Sequence, residues 1–94
     1  MKKGERAILL EMGNGVFLEV VSGGSTEPQS AGIFGHIAIA SEDCEADFQR
    51  ALAAGAEVDM KPMDVTLSSD PPTPIRFAFC KGFDGEQVEF FQYL

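Results

Sequence analysis

Three side chains with the chemistry to hold a ligand or move a proton occupy strand-like positions in this chain: Glu19, His36 and Glu89. His36 is the chain's single histidine. It lies within Gly32–Ala40, where strand alternation points Phe34, His36 and Ala38 one way and Ile33, Ile37 and Ile39 the other. An imidazole among small and apolar neighbours suits a ligand or proton carrier inside a cavity, and a hydrogen-bonded structural histidine has the same pattern. Glu19 shares its face of Val16–Val21 with Phe17 and Val21, and Glu89 shares its face of Glu86–Tyr93 with Phe91. A carboxylate so flanked is costly unless something pairs with it; the alternative is a solvated sheet face. One imidazole and two carboxylates form the donor set of a divalent Zn, Ni, Co, Mn or Fe ion. No local His-x-x-x-His or Cys-x-x-Cys spacing supports this, so the fold must bring the three together.

The elements that position them follow from periodicity. Arg6–Met12 alternates Ile8, Leu10 and Met12 against Ala7, Leu9 and Glu11, and Gly13-Asn14-Gly15 supplies the positive φ angles of a tight turn into Val16–Val21. Residues 6–21 are therefore expected to form a hairpin. Residues 22–32, rich in Gly and Ser with Pro28, read as a linker. After the histidine strand, Ser41-Glu42-Asp43 signals a helix start, Cys44, Phe48, Ala51 and Leu52 recur at helical spacing, and Gly55 ends the helix. Glu57–Lys61 alternates and Pro62 is expected to close that strand, leaving Met63–Pro74 as an extended loop. Ile75–Lys81 and Glu86–Tyr93 are strands joined by the turn Gly82-Phe83-Asp84-Gly85. In the first, Ile75, Phe77 and Phe79 oppose Arg76, Ala78 and Cys80. In the second, Val88 and Phe90 oppose Gln87, Glu89, Phe91 and Tyr93.

Composition narrows the partners. At 94 residues with 45% hydrophobic content, residues 1–94 are expected to form a single folded domain. A formal charge of -8 argues against nucleic acid or an anionic membrane as partner, since both need a cationic surface. No apolar run reaches membrane-spanning length. The two cysteines, Cys44 and Cys80, read as reduced thiols, and the expected location is cytoplasmic. Cys44 falls in the helix's apolar stripe and reads as a small hydrophobe.

Gly35-His36-Ile37-Ala38, the Asp43–Ala54 helix with Ala54-Gly55-Ala56, and Asp84-Gly85-Glu86-Gln87-Val88-Glu89-Phe90 together resemble the vicinal oxygen chelate superfamily, nearest its glyoxalase I-like (glyoxalase/bleomycin resistance/dioxygenase) members. The resemblance implies an α+β fold, with one complete βαβββ module over residues 33–93 preceded by a hairpin, and a curved mixed sheet forming part of a cup. Glu19, His36 and Glu89 fall on three of that family's four metal-ligand positions. The first module's opening strand, helix and second strand have no counterpart here, and Gly82-Phe83-Asp84-Gly85 stands where the family usually has Asp-Pro-Asp-Gly.

What the resemblance implies for activity is a metal-dependent lyase or isomerase, similar to lactoylglutathione lyase. The ion would bind two substrate oxygens while a carboxylate, by analogy Glu89, moves a proton next to a carbonyl. The alternatives are a metal-free module holding an aromatic or apolar compound against Phe17, Phe34 and Phe91, and a non-catalytic subunit. A homodimer is expected because Arg6–Val21 has strands but no helix to cover Ile8, Leu10, Met12, Val16, Leu18 and Val20.

Overall fold

The computed structural model describes residues 6–24, 27 and 35–94. Its elements run β1 (Ala7–Gly13), β2 (Val16–Val21), β3 (Ile37–Ala40), α1 (Cys44–Ala53), β4 (Glu57–Leu67), β5 (Thr73–Lys81) and β6 (Gln87–Tyr93). The chain is α+β, and the order from β3 onward is the expected strand, helix and three strands.

β1 and β2 form a separate two-stranded antiparallel sheet. Asn14 (φ 53) and Gly15 (φ 76) supply the two positive φ angles that a type I′ turn demands. The other strands make a curved, open mixed sheet in the order β3-β6-β5-β4, with β3 parallel to β6 and the remaining pairs antiparallel.

Helix α1 covers one face of that sheet. Asp43 caps it, its side chain accepting from the Ala46 N–H at 3.0 Å, and Glu45 and Asp47 in the first turn complement the helix dipole. Gly55, at φ 110, takes the chain out of the helix; a Cβ there would also come within 2.8 Å of the Phe83 ring. Cys44 and Phe48 pack against Ala78 and Cys80, with Ala51, Leu52, Val88 and Phe90 around them. The Cys44 N–H donates to Gln92 Oε1 at 2.9 Å, tying the helix start to β6.

Two segments differ from the sequence reading. β4 does not stop at Pro62 but continues to Leu67, so the expected loop over Met63–Pro74 contracts to residues 68–72. β4 is an edge strand, and its register with β5 is irregular between Met60 and Met63. An edge position and a bulge are the two places where a strand tolerates a residue without an N–H. Beyond the bulge, Asp64 faces Arg76, whose Nε and Nη2 donate to its two carboxylate oxygens at 2.7 and 3.0 Å. The second difference is that β3 begins at Ile37. His36 therefore immediately precedes the strand instead of lying in its middle, and Ile33 and Phe34 fall outside the described residues.

Among the described residues, the hairpin's contacts are essentially between its own two strands. The radius of gyration is 15.3 Å, whereas a compact chain of this length has about 12 Å.

Candidate functional site

The parallel pairing of β3 with β6 sets Ala38 beside Glu89. His36 is two residues before Ala38, which puts it on the same side of the sheet as Glu89. Their side chains meet, with His36 Nε2 2.9 Å from Glu89 Oε1. The glutamate side chain is 15% exposed and the imidazole 40%.

The third member comes from β5. Phe79 lies opposite Glu89 in the β5–β6 register, and its ring meets the imidazole edge-to-face, with centroids 5.0 Å apart and planes at 82°. Phe77 continues the aromatic row 6.0 Å from Phe79. Phe91, paired with Phe77, packs edge-to-face on Tyr93 at 4.8 Å. The face opposite the helix is thus an aromatic floor carrying one imidazole–carboxylate pair. It forms on this side because α1 packs on the small residues Ala78 and Cys80, leaving the bulky members of β5's alternation on the other.

Glu19 is placed elsewhere. It lies in β2 opposite Leu9, in the separate hairpin. Among the described residues no group of three or more His, Cys, Asp or Glu side chains is close enough to hold a metal ion. Of the three phenylalanines expected to line a substrate pocket, Phe91 is on the floor beside the pair. Phe17 is half exposed on the hairpin opposite Glu11, and Phe34 lies outside the described residues.

An imidazole and a carboxylate are both donors that a divalent ion accepts, while their 2.9 Å approach is the spacing of a hydrogen bond. The described residues of one chain do not complete the shell.

No family model, curated protein or solved structure matches the chain.

On the helix side of the sheet, a pocket of about 290 Å³ runs between the end of α1 and the β5–β6 turn, lined by Ala51, Ala54, Ala56, Cys80, Phe83 and Val88 among others. Burial pushes the Cys80 thiol up from its ordinary range, and the carboxylates of Glu86 and Asp59 add to the shift. Burial raises the Cys44 thiol too, with Arg76 opposing. Both are poor nucleophiles in this setting. The Arg76 guanidinium, hydrogen-bonded to Asp64, holds that exposed carboxyl below the usual carboxylate range.

Sequence reasoning passed over Phe77 and Phe79 as site residues. The signal was present: in Ile75–Lys81 the small residues alternate with the large, and a helix stripe containing Phe48 packs best on the small ones.

Proposed function

We propose that this chain is a small-molecule-binding module whose helix-free sheet face holds a neutral aromatic or apolar compound. The His36–Glu89 pair engages that compound's polar group, a hydroxyl or N–H donor fitting best. The observation that carries this reading is the 2.9 Å Nε2–Oε1 contact set against the Phe79 ring on the apolar face opposite the helix. With the Nε2–H donating to Glu89, Nδ1 is the ring nitrogen directed to a ligand's proton, and the carboxylate fixes the tautomer and orientation. An aromatic floor with a few convergent polar groups is the ordinary make-up of a small-molecule site. The charge of -8 disfavours anionic ligands.

The test is an NMR titration with phenol, a neutral aromatic compound with a hydroxyl donor. Shifts are expected in the His36 imidazole and in the Phe77, Phe79 and Phe91 rings, and should be lost in His36→Ala. Shifts confined to the Phe83 side of the sheet would show that the ligand face is misassigned.

The imidazole–carboxylate donor set of His36 and Glu89, brought together on one face, favours a second reading, a metal-dependent lyase or isomerase with Glu89 as the proton carrier next to a carbonyl. A bound divalent ion would polarise a substrate oxygen. The remaining donors would have to come from outside the two-residue set seen here. Elemental analysis of protein purified without chelator, repeated on His36→Ala, tests this: zinc, nickel, cobalt, manganese or iron present at a fixed ratio in the first and lost in the second supports it.

A further inference from the structure

We infer that the β1–β2 hairpin is a docking arm that seats on the helix-free sheet face of a second copy of this chain, in reciprocal exchange. The inference is independent of any ligand and rests on two apolar surfaces that do not meet within one chain.

The first surface is the hairpin. The register pairs Ile8 with Val20 and Leu10 with Leu18, so these four side chains and Val16 share one face, and all are 37–62% exposed. A lone two-stranded hairpin is at best marginally stable in water and needs a surface to pack on. The second is the outer half of the helix-free face, where Met60, Met63, Val65, Leu67 and Tyr93 are 38–69% exposed. α1 covers the opposite side of this sheet, and the hairpin of the same chain is not packed on it. Each patch amounts to on the order of 500 Å² of apolar surface, near the upper end of what a typical monomer exposes.

The area decides how they are covered. One patch packed on its own copy in a two-fold pair buries about 1,000 Å² in total, short of a standard specific interface, and leaves the other patch in water. Reciprocal exchange, each hairpin on the other chain's sheet, covers four patches and buries about 2,000 Å², within the range of stable complexes. It also closes with two-fold symmetry, where one-way docking would grow into a filament. The dimensions agree. From Met60 to Leu67, β4 runs about 23 Å at about 3.3 Å per residue, long enough for hairpin strands of about 17–20 Å. Strands are spaced about 4.8 Å apart, so a hairpin centred over β4, where Met60, Met63, Val65 and Leu67 are exposed, stops at the outer edge of β5 and leaves the Phe79 ring and the His36–Glu89 pair open beside it.

Sedimentation equilibrium of the full chain at tens of micromolar tests the inference. The expected mass is twice the 10.1 kDa of the chain. Leu18→Asp on the arm and Met63→Asp on the sheet should each give monomers. Both sites are exposed, and circular dichroism checks that the fold is kept. The milder Leu18→Ser and Met63→Ser should each weaken dimerisation at least tenfold. Mixing Leu18→Asp with Met63→Asp should give a heterodimer weaker than the parent dimer and tighter than either variant's self-association, because one of the two contacts, the second copy's arm on the first copy's sheet, is intact. A monomeric parent chain, indefinite growth, a Met63→Asp or Met63→Ser protein that dimerises as tightly as the parent, or a mixture that associates no more than either variant alone would each overturn the proposal.

Discussion

A double-mutant cycle on His36 and Glu89 isolates the contact on which the functional reading depends. A hydrogen bond between an imidazole and a well-buried carboxylate is worth about 1.5–3 kcal/mol, and a fully exposed ion pair about 0.2–1. The glutamate side chain is 15% exposed but the imidazole 40%, which places the coupling between these limits, at about 1 kcal/mol. His36→Ala also removes the edge contact with Phe79, whose worth is about 0.5–1.5 kcal/mol. That loss occurs with or without Glu89 and so cancels from the coupling. Urea unfolding of the parent, His36→Ala, Glu89→Ala and the double variant supplies the four free energies. Each single change should cost about 1 kcal/mol more in the parent than in the background lacking its partner, a difference of about 4–8 °C in Tm for a chain of this size. A coupling below about 0.3 kcal/mol, the level at which independent sites add, would mean that the pair does not form in solution. The site would then lose its polar anchor.

Two further outcomes test the scaffold. Phe48 is 2% exposed at the centre of the helix–sheet contact, so Phe48→Ala should cost about 3–5 kcal/mol through lost burial and the cavity left behind; a loss under about 1 kcal/mol would show that α1 does not pack as described. The Cys44 and Cys80 thiols, both raised by burial, stay protonated in the folded state at pH values where the unfolded chain's thiols have begun to ionise. Stability is then fully present below the ordinary thiol range near pH 8.5 and falls as pH rises through it. Urea midpoints measured from pH 7.5 to 10 should decline, and less steeply in Cys80→Ala; an unchanged slope in that variant would refute the assignment to the thiols.

Local chemistry carried much of this protein into view before any coordinates. Asp43 and Gly55 bracket the helix because a capping carboxylate and a left-handed exit are requirements of any helix end. Asn14-Gly15 marks the hairpin because few other pairs accept two positive φ angles. The two faces of Ile75–Lys81 and of Gln87–Tyr93 follow from a period of two, which no tertiary context alters.

Pairing and burial were decided only by the tertiary structure. Pro62 reads as a strand end until β4 proves to be an edge strand with a bulge that absorbs it. Glu19 and Glu89 have the same local pattern, yet one sits in a separate hairpin and the other against an imidazole. His36 and Glu89 are distant in sequence and meet because β3 lies parallel to β6 in one register, and a slip of one residue would turn Glu89 to the helix side. Alternation decides which side chains share a face. Which strand lies alongside, and which face the helix covers, depend on how the whole chain best buries Phe48, Ala78 and Cys80, a condition that no single segment contains.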